Sequence, residues 1–175
     1  MKTKIYLSLL IGTSILLCGA KSPYIQVNKA ISYIQGHSKF KNIYGVVNLT
    51  EMKKSVIISG YIKGLPPSTV HGFHIHQFGD LGNFCLNTGT HYNPYNKKHG
   101  GPHDPNRHFG DFGNLRANNK GEITIHKSDN IARLTGKYSA IGRAFVLHER
   151  RDNYSAQPVG DAGGRVACGV IGIAN

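Results

Sequence analysis

Three histidines fall within six positions of the segment HGFHIHQF, at 71, 74 and 76. If the segment is a strand, residues two apart share a face, so His74 and His76 project together and form a clip for a metal ion. Phe73 and Ile75 then point the other way, into a core. His71 lies an odd number of positions from His74 and is expected to face away from the pair, as a hydrogen-bonded framework residue. A lone His-x-His pair is common on surfaces. Here the following stretch adds His91, His99, His103, His108 and Asp111 within 21 residues, and His148 follows further on. Three imidazoles and one carboxylate can close a tetrahedral zinc site. An all-imidazole set of His74, His76, His148 and one loop histidine suits copper. Spacing alone supports two metal sites. It does not say which metal each takes or which histidine belongs to which.

The elements that must position these groups read as strands. AISYIQ (30–35), IYGVVNLT (43–50), SVIISGYI (55–62), FHIHQF (73–78), EITIHK (122–127), RAFVLHE (143–149) and RVACGVIGI (165–173) are rich in β-branched and aromatic residues. Several of them alternate apolar with polar. No stretch carries a helical period. Short strands separated by glycine-rich turns predict an all-β sandwich or barrel. Two long segments, 79–112 and 150–164, lack the strand pattern, and loops of that length in a compact domain are usually functional.

The first twenty residues differ in kind. Lys2 and Lys4 precede the apolar run IYLSLLIGTSILLCGA, the pattern of a secretory signal peptide ending at Ala20. The run is short for a membrane span. Residues 21–28 read as an N-terminal extension and 29–175 as the domain. Removal of residues 1–20 leaves 19 Lys+Arg against 9 Asp+Glu, a net charge of +10, and two cysteines, Cys85 and Cys168. An even pair in an exported chain reads as one disulfide. Closing a loop of about 80 residues is worth on the order of 4 kcal/mol in the chain-entropy model. The positive charge favours anionic partners, among them acidic polysaccharides. Export and the absence of a recognition motif argue against nucleic acid. NLT (48–50) and NYS (153–155) are glycosylation sequons, with Asn48 the better placed.

At the metal-ligating residues the chain resembles the copper/zinc superoxide dismutases. The resemblance is carried by HGFHIHQFGD (71–80), HYNP (91–94), KHGGP (98–102), RHFGDFGN (107–114), IGRAFVLHE (141–149) and AGGRVACGVIGIA (162–174), and covers about 29–175. It implies an eight-stranded Greek-key β-barrel with two long functional loops, and an exported antioxidant enzyme that dismutates superoxide. It implies copper on His74, His76, His91 and His148, and zinc on His91, His99, His108 and Asp111, with His91 bridging. It further implies a Cys85–Cys168 disulfide, Arg165 as the anion-holding group, Asp152 as the carboxylate linking a copper histidine to a zinc histidine, and a homodimer through Gly169–Ile173, Gly79 and Ile141. His37, His103 and His126 match no ligand and are expected to be solvent-exposed. Only twelve residues separate Asp152 from Arg165. This is shorter than in typical eukaryotic members, and the charged residues that help steer superoxide in those relatives have no counterparts here. Lys97, Lys98, Arg150 and Arg151 could compensate. The other reading is a secreted copper- and zinc-binding protein with little turnover, against which Arg165 argues, since storage needs no anion anchor.

Overall fold

The computed structural model describes residues 25–175. The expected leader and residues 21–24 lie outside the described residues. Nine strands follow in order: β1 Lys29–Gly36, β2 Tyr44–Glu51, β3 Val56–Lys63, β4 Val70–His76, β5 Asp111–Arg116, β6 Ile123–Asp129, β7 Ala144–His148, β8 Arg165–Val170 and β9 Gly172–Ile173. Among the described residues the helical content is two three-residue 3-10 turns, Ser38–Phe40 and Leu86–Thr88.

Eight strands form one antiparallel path, β5-β4-β7-β8-β1-β2-β3-β6, and β9 adds to β1. β1 to β3 form a meander. The chain then crosses the barrel end to build β4 and β5 before β6 returns to pair β3, which is Greek-key connectivity. The path is nearly closed. Side chains bridge its seam: Lys127 of β6 donates to the Phe112 carbonyl of β5 at 3.2 Å, and Arg107 forms a buried ion pair with Asp129.

Alternation explains the wall. β1 turns Ala30, Ser32 and Ile34 inward, β2 turns in Val47 and Leu49, and β3 turns in Val56, Ile58 and Ile62. From the opposite wall come Phe73, Ile75, Phe112, Phe145 and Leu147, with Phe73 stacked on Phe145 at 4.7 Å. Burying each such side chain contributes about 1.5–3 kcal/mol. Val27 is also buried, and its N–H donates to the Thr135 hydroxyl at 2.9 Å, fastening the chain just ahead of β1.

The seven segments expected from alternation all lie on strands, and the last one divides into β8 and β9 at Ile171. β5 was not expected. Its sequence, DFGNLR, begins inside the first long loop, and Gly113 with φ +74° breaks the alternation. β4 and β7 depart from simple alternation in another way: every residue of β7 and all but the first of β4 are buried. One face meets the core. The other lies beneath the loops 77–110 and 149–164, and it carries the histidines.

Candidate metal centre

β4 supplies His74 and His76, β7 ends on His148, and the first long loop supplies His91, His99 and His108 before β5 opens on Asp111. His91 is drawn to the barrel wall by an isolated bridge to His76. These seven residues form two buried donor groups that share one member. His74, His76, His91 and His148 each bring a ligand atom within 4.8 Å of the others, and so do His91, His99, His108 and Asp111. The rings of His74 and His91 lie 3.9 Å apart.

The hydrogen bonds decide which nitrogens remain free. The Nε2 of His74 bonds Asp152 Oδ2 at 2.9 Å, which leaves its buried Nδ1 without a partner. His76 Nδ1 donates to the Gly89 carbonyl at 2.9 Å, and His148 Nδ1 to the Gly163 carbonyl at 3.3 Å. Their Nε2 atoms then face each other at 3.2 Å. Two neutral ring nitrogens oriented this way make a pair of lone pairs converging on one point, a natural cation site. His99 Nε2 bonds Asp152 Oδ1 at 2.8 Å, leaving Nδ1 turned toward Asp111 Oδ2 at 3.0 Å but not aligned to bond it. The Nδ1 atoms of His91 and His108 lie 2.9 Å and 3.3 Å from Asp111 Oδ1. Asp111 therefore sits at the focus of three imidazoles.

Electrostatics follow from burial and these partners. Burial, then the neighbouring imidazoles, hold His76 and His148 well below the usual histidine range, so both are neutral with a nitrogen free to ligate. Burial and His74 lower His91 to about 4. Burial also disfavours charge on His99, but the carboxylates of Asp111 and Asp152 beside the ring outweigh it and raise that ring to about 9. Burial alone would raise Asp111, yet the imidazoles of His108, His91 and His99 around it take the carboxyl far below the usual carboxylate range. The same balance brings Asp152 to about 2. One pocket is all imidazole. The other holds an ionised carboxylate amid imidazoles that calls for a cation. The donor sets and the unpartnered ring nitrogens fit copper in the first and zinc in the second.

A further layer orients the donors. Asp152 bridges His74 and His99 and is itself held by Asn114 of β5: its N–H donates to Asn114 Oδ1 at 2.8 Å, and Asn114 Nδ2 donates to the Asp152 carbonyl at 3.0 Å. Gly160, at φ +77°, packs against this carboxylate so closely that a β-carbon there would overlap it. The Gln157 side chain clasps the main chain of His99 from both sides, accepting from its N–H at 2.9 Å and donating to its carbonyl at 2.8 Å. His71 sends Nδ1 to the His148 carbonyl at 2.7 Å, the framework role expected for it.

Arg165 opens β8 opposite His148, at a bulge where Val166 is the extra residue. Its Nη1 donates to the Cys85 and Leu86 carbonyls and to Thr88 Oγ1, and its Nη2 to the Gly89 carbonyl. The loop that accepts these bonds is tied to β8 by the Cys85–Cys168 disulfide. The guanidinium is close enough to His76 and His148 to disfavour their protonation.

His103 and His126 are exposed, as expected. His37 is not: it is half-buried, and its Nε2 donates to the Arg165 carbonyl at 2.8 Å, so the expectation of a free surface residue is corrected. Sequence reasoning also missed Gln157, Asn114 and Thr88. Each acts on a partner distant in sequence, and nothing in its own neighbourhood signals it. Lys97 and Lys98 line a cavity of about 370 Å³ together with His91, His108 and Gln157.

Comparison with known proteins agrees with this geometry. The family model described as copper/zinc superoxide dismutase matches residues 43–171. An extracellular superoxide dismutase [Cu-Zn] of Haemonchus contortus is 43% identical over 158 residues, covering 85% of each chain. That of Brugia pahangi is 45% identical over 146 residues, covering 78% of this chain and 73% of the other. The crystal structure of the clock protein EA4 superposes with a TM-score of 0.80 at 41% identity, covering 89% of this chain and all of that one. With its barrel, its paired donor groups and a family match across most of its length, the chain belongs to the copper/zinc superoxide dismutases.

Proposed function

We propose that this chain dismutates superoxide outside the cell, turning two superoxide anions and two protons into dioxygen and hydrogen peroxide. In this reading His74, His76, His91 and His148 hold copper, and His91, His99, His108 and Asp111 hold zinc. The observation that carries it is the sharing of His91 between the two groups. Its Nδ1 faces the carboxylate of Asp111, which leaves Nε2 for the all-imidazole side. Copper held there would supply one-electron redox chemistry, and zinc a fixed positive charge.

The chain's own residues do the rest. Arg165 binds and aligns the incoming anion through a permanently charged, planar donor group already fixed by four acceptors. His91 Nε2 takes up a proton and releases it toward the peroxide product. Asp152 keeps the rings of His74 and His99 in register, and Asp111 keeps that of His91. A carrier without turnover has no use for a guanidinium fastened beside the imidazoles. The test is a superoxide-decay assay with metal analysis on the intact protein and on Arg165→Ala. We expect the variant to keep both metals and to lose at least about tenfold in rate. Unchanged turnover would remove Arg165 from the mechanism.

Relatives named as extracellular support export, with residues 1–20 as the signal peptide and 29–175 as the enzyme domain. No helix among the described residues is long and apolar enough to cross a membrane. Phe78 and Val170 are exposed beside Gly79, and Ile173 is exposed on β9, apolar side chains that a second copy of the chain would cover in a homodimer. The net charge of the exported chain supports binding to anionic polysaccharides, which retention on heparin at physiological salt would test. Asn48 lies exposed in mid-β2 and Asn153 exposed in the second loop, so both sequons are accessible to a glycan.

A further inference from the structure

We infer that His37 is a positioning residue for Arg165, acting through the arginine's main chain. The β1–β8 ladder is short. It pairs Gln35 with Cys168 and Gly36 with Ala167, and stops there. Next to it the pairing of β8 with β7 shifts register, with Val166 as the extra residue beside Arg165. His37 takes over where the ladder ends. Its Nε2–H donates to the Arg165 carbonyl at 2.8 Å, a bond that fixes the proton on Nε2, since a carbonyl can only accept.

His37 also reaches the loop on which the guanidinium rests. Its ring packs against Phe84 with centroids 5.2 Å apart, one residue before the disulfide cysteine Cys85. That stretch of chain is unfavourable by itself: Asn83, Phe84 and Cys85 all have left-handed backbones, with φ of 49°, 55° and 66°. It persists because outside groups hold it. The disulfide is one, the Arg165 side chain on the Cys85, Leu86 and Gly89 carbonyls is another, and the His37 ring is the third. His37 thus touches both the main chain of Arg165 and the loop receiving its side chain.

The placement of His37 is built into the turn. Its carbonyl accepts from the Phe40 N–H at 2.7 Å, closing the 3-10 turn, and a β-carbon at Gly36 would overlap the Phe40 carbonyl. Phe40 meets the ring edge-on at 5.9 Å.

This inference rests on the proposed anion-holding role of Arg165, and its test keeps the two apart. The probe is azide, a monovalent anion, titrated optically into the copper- and zinc-loaded protein. Four variants are compared with the unmodified chain: His37→Ala, His37→Gln, His37→Phe and Arg165→Ala. Gln returns an N–H at about the reach of Nε2, whereas Phe returns the packing on Phe84 without the donor. We expect His37→Ala and His37→Phe to weaken azide binding roughly fivefold with metal content unchanged, and His37→Gln to recover most of it. In the Arg165→Ala background His37→Ala should have no further effect. If azide binding is insensitive to Arg165→Ala, the role given to Arg165 falls. If it responds to Arg165→Ala but His37→Phe binds as tightly as His37→Gln, or if the His37→Ala loss persists without Arg165, the positioning role falls. Should His37→Ala fail to fold, the Gln and Phe variants decide the matter.

Discussion

The two walls of the barrel run the same alternation toward different surroundings. On β1, β2 and β3 the outward residues meet water: Tyr33 is 68% exposed, and Tyr44 and Tyr61 stand beside it on the same face. On β4 and β7 the outward residues are His74, His76 and His148, all nearly inaccessible beneath the two long loops. The inward residues of both walls are interchangeable in kind. The chemistry therefore comes from what covers the outside. Covering imidazoles strips them of water, which is costly unless each nitrogen finds a partner. Here one nitrogen of each ring is met by a carbonyl or carboxylate, and the other is left for a metal ion.

That contrast can be broken at several points. The largest effect belongs to the shared interior. Phe73→Ala should cost about 3–5 kcal/mol in denaturant unfolding, while Tyr33→Ala on the open wall should stay within about 0.5 kcal/mol. Equal costs would mean that the outer face of β1 is covered in solution.

Next comes the covered wall. Asp152→Asn offers one acceptor oxygen to two ring N–H donors, so His74 or His99 loses its partner. We expect metal affinity to fall about 10–100-fold, measured by competition with a chromophoric chelator. Gln157→Ala removes both bonds to the His99 main chain. It should speed zinc release by up to about tenfold and leave copper release unchanged. The smallest effect sharpens the role of the open rim. Lys97 and Lys98 border the cavity above His91. Raising ionic strength from about 0.01 M to 0.15 M shortens the screening length from about 30 Å to 8 Å, and we expect the dismutation rate to fall a fewfold. A rate indifferent to salt would show that the basic rim does not steer.

The open wall was the more legible one, because there the sequence pattern and the surroundings agree. On the covered wall His74 and His76 could be placed on one face by their spacing, and the loop donors by their density. Their sorting into two groups could not be read that way, since it depends on where 77–110 folds back across β4; the family resemblance supplied it. β5 was hidden because Gly113 interrupts its alternation. His37 was hidden for a different reason: GHS reads as an ordinary turn, and its partner Arg165 lies 128 residues away. Gln157 reaches 58 residues to His99 in the same fashion. Groups that work by gripping another segment's main chain leave no local mark.

The seam between β5 and β6 has a consequence of its own. A sheet that stops short of full closure leaves two rims of main-chain donors and acceptors, each a template on which a foreign strand could grow. Lys127 occupies the Phe112 carbonyl on one rim, and the Arg107–Asp129 pair buries two charges against the other. An intruding segment would have to displace an ammonium and strand two ions out of water. The cylinder thus guards itself against fibrous association at the place where its own backbone leaves it open.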